Sequence, residues 1–224
     1  MGENSFGISP DIVNQIVIEI KKILEQDIQL AIVIGGGNIF RGISLGDQGM
    51  TRATGDYMGM LATVMNSLAL EDAFNKNNII TRVQSAVNVE QIVEPYVRAK
   101  ALQYLSENKV VIFSGGTGNP FFTTDTTAAL RAAEIEAEAI FKATKVNGVY
   151  DKDPEKSEDA IKFDHISHID VLKKKLKVMD STALSLTMDN NIPIVVFDVT
   201  QKKSMLKALQ GEKIGTQIGG ENHE

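Results

Sequence analysis

Two short apolar runs in this sequence end directly in glycine-rich turns. The first, Ile28 to Ile34, is closed by Gly35-Gly36-Gly37, and the second, Lys109 to Ser114, by Gly115-Gly116. Apolar runs of this length that end in glycine are typical of strands buried on both faces of a parallel sheet. Parallel strands need crossover connections, usually helices. This feature therefore predicts a chain in which helices alternate with strands.

The remainder of the sequence fits that alternation. The predicted helices cover residues 10–24, 52–74, 95–106, 123–136, 169–176, 180–190 and 202–209, and the predicted strands cover 28–34, 79–83, 109–114, 139–143, 193–197 and 216–218, the last as an edge strand. The pattern predicts an α/β fold, a three-layer sandwich with a mostly parallel central sheet. Because the 224 residues contain no repeat and no linker, we expect a single domain over residues 1–224.

Composition narrows the classes of function. The chain has no cysteine, which excludes disulfides, thiolate metal sites and a cysteine nucleophile. Its net charge of −6 disfavours a nucleic-acid partner, since such proteins usually present a basic face. No apolar run approaches the ~20 residues of a membrane span, so no membrane partner is expected and a cytoplasmic location fits.

The glycine turns are the first candidate site. In open α/β sheets, ligands bind beyond the carboxyl ends of the strands, where both turns are predicted to lie. Glycine lets backbone N–H groups approach a phosphate closely, although a single glycine turn often serves packing alone. Two such turns in one small domain favour phosphate binding. Arg41, four residues past the first turn, is a candidate phosphate ligand rather than a surface arginine.

Two common nucleotide-binding motifs are absent. The sequence contains no G-x-x-x-x-G-K-[ST] segment, and no G-x-G-x-x-G opens a helix of a βαβ unit. The P-loop and Rossmann dinucleotide interpretations therefore lose support.

Three aspartates at predicted helix starts have two interpretations each. Asp56 is either a helix-dipole acid, which the residues alone favour, or an acceptor for a ribose hydroxyl. Asp125 and Asp180 are either capping acids or groups that organise Mg²⁺ near phosphates. Acids without nearby His or Cys ligands suit Mg²⁺ better than zinc.

Other conspicuous residues are expected to be structural. Arg52 and Arg131 lack a glycine turn beside them, and His165 and His168 lack a third ligand, so the histidines are expected to be solvated surface residues. Lys173-Lys174-Lys175 is expected to be a solvated helix face. The methionines between Met58 and Met65 are expected in the core or at a subunit interface rather than at a cofactor.

Five segments of the sequence together resemble the bacterial UMP kinases, a branch of the amino-acid kinase family. They occur in that family's order across nearly the whole chain: Val33–Gly42 (VIGGGNIFRG), Gly55–Thr63 (GDYMGMLAT), Gly116–Asp125 (GTGNPFFTTD), Lys142–Tyr150 (KATKVNGVY) and Leu176–Asp180 (LKVMD).

The resemblance implies the reaction ATP + UMP = ADP + UDP with Mg²⁺, in pyrimidine nucleotide biosynthesis. It implies that UMP is bound by Gly36, Asp56, Thr117, Gly118, Asn119, Pro120, Phe121, Phe122, Thr123 and Thr124. Asp56 then becomes the ribose partner, against the preference drawn from the residues alone. ATP is implied to bind Gly37, Arg41, Thr144, Tyr150 and Asp153, and Arg41, Asp125 and Asp180 are implied to act on the transferring phosphoryl group.

The resemblance also implies assembly and regulation. Members of this family are typically homohexamers that GTP activates and UTP inhibits. The segment linked to GTP activation matches Gly2, Glu3, Asn4, Ser5, Phe6 and Gly7.

One family segment has no counterpart in the printed sequence. The family begins with a strand that ends in a Lys-x-Ser-Gly-Glu-like turn, whose lysine contacts the transferring phosphates, whereas Met1-Gly2-Glu3 already matches the loop after that turn. We therefore expect either a longer natural chain or a catalytically weak or inactive nucleotide-binding subunit. Lys142 and Lys145 are candidates to replace the lysine. A kinase of the same family with another acceptor, such as carbamate, an amino acid or isopentenyl phosphate, is the third possibility, and Thr117 to Thr124 argues against it.

Overall fold

A computed structural model describes residues 7–40, 49–154, 156–201 and 203–220, and its helices are interspersed with single strands or short runs of strands. The helices are α1 (Pro10–Leu24), α2 (Arg52–Lys76), α3 (Arg98–Ser106), α4 (Thr124–Glu134), α5 (His168–Lys173), α6 (Ser181–Asp189) and α7 (Ser204–Leu209). The strands are β1 (Ala31–Val33), β2 (Thr81–Ser85), β3 (Glu94–Pro95), β4 (Val110–Ser114), β5 (Ile140–Thr144), β6 (Val149–Tyr150), β7 (Lys162–Phe163), β8 (His165–Ile166), β9 (Ile194–Asp198) and β10 (Thr216–Ile218).

The chain divides into two compact units, Met1–Thr127 and Ala128–Glu224. In the first unit, β1, β4, β2 and β3 lie side by side in that order, and each neighbouring pair is parallel. Every residue of β4 is buried, so both faces of this strand are covered. Helix α2 packs against β2 and β4, α3 packs against β4, and α1 packs against α2.

The second unit has its own sheet, in the order β5, β9, β10 and β8. The pairs β5–β9 and β10–β8 are parallel, and β9–β10 is antiparallel. Strands β6 and β7 form a separate antiparallel pair. A core of buried side chains from β9, β10, α5 and α6 supports this sheet, with Val171, Leu184, Ile194, Val196 and Ile218 each at most 2% exposed.

The predicted α/β fold with a mostly parallel sheet is confirmed. Two details differ. Pro95, expected to open a helix, lies instead in β3 beside Ser85, and α3 begins at Arg98; proline is tolerated on an edge strand because its missing N–H faces away from the ladder. Strand β10 has the predicted bounds but lies between β9 and β8 rather than at an edge. Its second neighbour, the two-residue β8, is too short to give a sequence signal. The single domain stays a prediction.

The methionines of α2 divide between core and surface. Met60 is buried, whereas Met58, Leu61 and Met65 are exposed and, with Tyr57, form an apolar stripe along α2. The expectation of core or subunit interface is therefore confirmed as core for Met60 alone. No described helix is both long and apolar enough to cross a bilayer.

The expectation that His165 and His168 are solvated surface residues is wrong for His168. Its side chain is 7% exposed and packs against Gly219, where a Cβ would lie 2.0 Å from the imidazole Cε1. The ring of His165 is half-buried, and its Nε2 lies 3.2 Å from the carbonyl oxygen of Gly219. Both side chains hold the end of β10, a long-range role that their local spacing does not reveal.

Candidate functional site

The two glycine turns leave neighbouring strands at the same edge of the first sheet. Strands β1 and β4 are parallel, with Val33 opposite Phe113, so the turns that follow them lie side by side. Thr124, at the start of α4, lies against the first turn: a Cβ at Gly35 would lie 3.3 Å from its Oγ1. The structure thus places the predicted site at the carboxyl ends of parallel strands, as expected for a ligand site in such a sheet.

Gly36 is required by a close approach of α2. A Cβ at this position would lie 2.5 Å from the carbonyl oxygen of Gly59 and 2.8 Å from Cβ of Ala62. Real Cβ atoms do not sit that close to backbone, so only glycine fits without moving the helix. The first turn is therefore fixed directly against α2.

Thr63 and Asn66 of α2 hold both turns, and neither is among the predicted site residues. The hydroxyl of Thr63 accepts a hydrogen bond from the N–H of Gly115 (2.7 Å) and donates to the carbonyl of Met60 (2.6 Å). The amide of Asn66 donates to the carbonyl of Gly35 (2.8 Å) and pairs with the amide of Asn38. Two buried polar residues three apart in a helix are a signal that could have found them, since buried polar groups need partners.

The segment after the second turn, residues 116–123, forms a loop that we call the acceptor loop. Positive φ angles at Gly116 (+58°), Gly118 (+82°) and Phe121 (+74°) fold it back on itself. Thr117 Oγ1 bonds within the loop to the N–H and carbonyl of Asn119. The chain then passes through Pro120 to Phe121 and Phe122, whose side chains are 59% and 48% exposed.

Asp56 anchors this loop from α2. Its Oδ2 accepts a hydrogen bond from the N–H of Phe121 (2.7 Å), across 65 residues of sequence. The side chain is 21% exposed, so the carboxylate lies at the edge of the loop rather than in the core. This placement joins Asp56 to Thr117–Thr124, the set expected to act together.

The start of α4 is capped by Thr123. Its Oγ1 accepts from the N–H groups of Asp125 (3.1 Å) and Thr126 (3.3 Å). Asp125 follows in the first helical turn and is half-buried, where its charge is favourable to the helix dipole. Thr123 is thus a cap of α4.

Arg52, which was predicted to be structural, also lies at this site. Its Nε lies 3.6 Å from Oδ2 of Asp56, and its guanidinium carbon lies 5.2 Å from the centre of the Phe121 ring. Arginine in the first turn of a helix opposes the helix dipole, which is the signal that could have drawn attention to it.

In the second unit, Thr144 and Tyr150 bound one loop. Thr144 ends β5, and its Oγ1 donates to the carbonyl of Val146 (2.7 Å) and accepts from the same residue's N–H (3.0 Å). The hydroxyl of Tyr150, on β6, donates to Oδ1 of Asn147 (2.6 Å). Asp153 follows in an exposed turn, 3.3 Å from Nζ of Lys156.

Asp180 is the N-cap of α6. Its Oδ1 accepts from the N–H of Ala183 (2.9 Å). Two residues earlier, the carbonyl of Val178 accepts from Nζ of Lys142 (2.6 Å), so this lysine of β5 lies next to the start of α6. The capping interpretation of Asp180 is confirmed.

Asp198, at the end of β9, was not predicted. It lies opposite Thr144 in the parallel β5–β9 pair. Hydrogen bonds from the hydroxyl of Thr200, then from its N–H, lower the pKa of this carboxyl. An ionised carboxylate therefore stands beside Thr144 at the carboxyl edge of this sheet.

Some expected site residues lie outside the described residues, namely Arg41, Gly2, Glu3, Asn4, Ser5 and Phe6. Gly7 is described and is tied to the first glycine turn. Its N–H donates to the carbonyl of Asn38 (2.8 Å), and its own carbonyl accepts from Nδ2 of Asn38 (3.0 Å). Gly37 is exposed in that turn.

Carboxylate oxygens, among them those of Asp125 and Asp180, are the ligand type that Mg²⁺ prefers. Within the described ranges, no three His, Cys, Asp or Glu side chains cluster closely enough to hold a metal ion. Mg²⁺ usually takes one or two carboxylates and completes its shell with phosphate oxygens and water.

Comparisons with known proteins agree with this geometry. The sequence profile of the amino acid kinase family matches residues 1–198. The UMP kinase from Ureaplasma parvum is 37% identical with a TM-score of 0.93, over 98% of this chain and 94% of that chain. The UMP kinase from Bacillus anthracis is 35% identical with a TM-score of 0.94, over 97% and 90%. The uridylate kinase from Archaeoglobus fulgidus is 28% identical with a TM-score of 0.75, over 94% of each chain.

Proposed function

Because the chain belongs to the amino acid kinase family, we propose that it is a UMP kinase, which transfers the γ-phosphoryl group of ATP to UMP. In this reaction a phosphate oxygen of UMP forms the new P–O bond, and the bond between the β,γ-bridging oxygen and the γ-phosphorus breaks. ADP leaves and UDP is formed. The resemblance of the acceptor loop to that of UMP kinases favours this acceptor over carbamate, amino acids or isopentenyl phosphate.

The observation that carries the proposal is the acceptor loop, which follows the second glycine turn and is held at Phe121 by Asp56. Asp56 binds the N–H of Phe121 through Oδ2, which directs the carboxylate to the loop. Gly36, Asp56 and Thr117 to Thr124 would then enclose UMP, with Asp56 receiving a ribose hydroxyl and backbone N–H groups receiving the phosphate.

ATP is assigned to Gly37, Arg41, Thr144, Tyr150 and Asp153. The braced loop between Thr144 and Tyr150 supports this part of the proposal, because it presents a fixed surface for a base and its sugar. Mg²⁺, bound with ATP, supplies neutralising charge on the phosphates. Arg41, Asp125 and Asp180 are proposed to orient the charged groups around the transferred phosphoryl, since such transfer depends chiefly on alignment and charge stabilisation.

Assembly, regulation and location complete the proposal. We propose a cytoplasmic homohexamer of pyrimidine biosynthesis that GTP activates through Gly2 to Gly7 and UTP inhibits. The exposed apolar stripe of α2 supports association, because Leu61 and Met65 are 50% and 54% exposed in the single chain. Light scattering after size-exclusion chromatography tests the mass, with a monomer at micromolar concentration as the contradicting result.

A coupled ADP-release assay with ATP, Mg²⁺ and a panel of acceptors tests the activity. The panel contains UMP, carbamate, an amino acid and isopentenyl phosphate. The assay is run on this chain and on a version that carries, ahead of Met1, a strand ending in a Lys-x-Ser-Gly-Glu turn, where the resemblance places a phosphate-contacting lysine.

UMP-dependent ADP release from either version supports the proposal. Preference for another acceptor contradicts it. UMP binding without turnover in both versions would instead identify a nucleotide-binding subunit without kinase activity.

A further inference from the structure

Arg52 occupies a position that helix stability does not explain. It is the first residue of α2, after the N-cap Thr51, and a positive charge there opposes the helix dipole. Its side chain is 61% exposed, so burial does not account for its place either. What remains are its two contacts, with the carboxylate of Asp56 and with the ring of Phe121.

Phe121 likewise needs an external constraint. Its φ of +74° is the left-handed region, which is strained for a bulky residue that is not glycine. Its ring is 59% exposed and gains little from burial. Its backbone N–H is held by Asp56 and its ring is covered by Arg52, so both sides of the strained residue are held from the first turns of α2.

We propose that Arg52 is a positioning residue for the acceptor nucleotide, a role that rests on the proposed UMP kinase function. The guanidinium of Arg52 contacts both the Asp56 carboxylate and the Phe121 ring, and it fixes the position of each. Asp56 is thereby kept oriented for the ribose, and the acceptor loop is kept in its strained form before UMP arrives. A loop ordered in advance spares the ligand the free energy of ordering it.

The test is calorimetric titration of UMP into wild type, Arg52→Ala and Arg52→Lys. We expect Arg52→Ala to weaken UMP binding by about three- to tenfold, the range for an exposed cation–π contact plus an ion pair. Arg52→Lys should recover part of the loss, because lysine keeps the charge but not the planar fork that stacks. In the assay, KM for UMP should rise while kcat stays within about twofold.

Lys76→Ala is the matched control. Lys76 is also exposed, lies on the same helix and pairs with an aspartate four residues away, Asp72, at 2.6 Å. It should leave UMP binding unchanged. ATP binding and the Tm should be the same in Arg52→Ala and Lys76→Ala. If Arg52 had only a structural role, ATP binding and the Tm would differ between the two variants.

Two further measurements separate the mechanism from its alternatives. The pair Arg52→Ala and Phe121→Leu should be non-additive, with the double variant little weaker than either single one, if Arg52 acts through Phe121. In Arg52→Ala, uridine and UMP should both compete for the site less well than in wild type, and by the same factor. A positioning effect does not depend on the ligand phosphate.

Three results would overturn the proposal. The first is unchanged UMP binding in Arg52→Ala. The second is a loss of affinity for UMP without a loss of affinity for uridine, which would make Arg52 a direct phosphate ligand. Equal losses of UMP binding, ATP binding and Tm would make its role structural. If wild type itself bound no UMP, the proposed function would fail together with this inference.

Discussion

At the scale of single residues, the candidate site depends on groups whose contacts cross long stretches of sequence. Asp56 shows this most clearly. From the residues alone, an acid in the first turns of a helix suits the helix dipole, and only the resemblance favoured a ligand role. In the structure, its carboxylate accepts from the N–H of Phe121, 65 residues away, and so serves the acceptor loop.

Replacing Asp56 by asparagine tests its ligand role. Asparagine keeps an oxygen that can accept from Phe121, but it removes the charge that would strengthen a bond to a ribose hydroxyl. Hydrogen bonds to charged groups contribute about 1.5–3 kcal/mol, so we expect KM for UMP to rise by roughly tenfold or more. Asp72→Asn, an exposed site on the same helix, is the control and should behave as wild type. Equal KM values in the two variants would exclude the role.

Replacing Gly36 by alanine tests the close approach of α2. The added Cβ would meet the carbonyl oxygen of Gly59 and Cβ of Ala62, neither of which can move without displacing the helix. We expect a loss of about 1–3 kcal/mol in the free energy of unfolding, as for overpacked cores, measured by urea denaturation.

Gly59→Ala is the matched control for that variant. Its Cβ would meet nothing within 4 Å, and alanine is favoured over glycine inside a helix by up to about 1 kcal/mol. The two substitutions should therefore have opposite signs. A Gly36→Ala protein as stable as wild type would contradict the packing described.

At the scale of elements, helix starts combine structural and chemical tasks. Helix α6 begins at Ser181 with Asp180 as its N-cap, and α4 begins at Thr124 with Thr123 as its cap. Thr123 supplies hydrogen bonds that cap α4, whereas the aspartate Asp180 itself caps α6. A sequence pattern cannot separate these tasks, because Asp is favoured both at caps and near Mg²⁺.

The two tasks of Asp180 can be separated by substitution. Asparagine caps a helix as well as aspartate, whereas alanine costs about 0.5–2 kcal/mol. Asp180→Asn should therefore keep its Tm within about 2 °C of wild type, and Asp180→Ala should lose several degrees. If the charge serves phosphoryl transfer, UDP formation should fall by about 10²-fold in both variants. Full activity of Asp180→Asn would show that the residue is only a cap.

The packing of His168 at the end of β10 makes the free energy of unfolding depend on pH. Burial lowers the pKa of His168, against a smaller opposing contribution from the backbone of Ile192. The ring is neutral in the folded chain above its unfolded pKa of about 6.5, so stability is complete there. As pH falls below that value, the unfolded state binds the proton first and stability is lost.

His168→Gln should remove this part of the acid sensitivity. Between pH 7.5 and 5.5, we expect the Tm of wild type to fall by about 2–4 °C more than that of the variant, by scanning calorimetry. His165→Gln, which removes a neighbouring histidine but keeps the buried imidazole of His168, is the control. Parallel pH profiles for wild type and His168→Gln would contradict the assignment.

At the scale of the whole molecule, the sequence predicts the helices and the longer strands better than the long-range contacts between them. Alternating patterns predicted every long helix and all but the shortest strands, because periodicity depends on neighbours along the chain. Strand β3, and β6 to β8, have two residues each and carry no such period. Thr63 bonds to a residue 52 positions away and Asn66 to one 31 positions away, and only the fold brings these partners together.

The same distinction holds for the candidate site. The glycine turns and the acceptor loop could be located from sequence, since both follow strands at predictable ends. Arg52 could not be assigned, because its contact with Phe121 exists only after the loop adopts a positive φ. His168 was placed wrongly for a similar reason: its partner, Gly219, is 51 residues away in sequence and lies beside it only once β10 has joined the sheet.

The first experiment is calorimetric titration of UMP without ATP, which asks whether Asp56, the glycine turns and the acceptor loop form a UMP site. It measures binding at this site separately from catalysis. We expect saturable binding of one UMP per chain that Asp56→Asn weakens and Asp72→Asn does not. Absence of UMP binding, or binding that is equal in all three proteins, would contradict it.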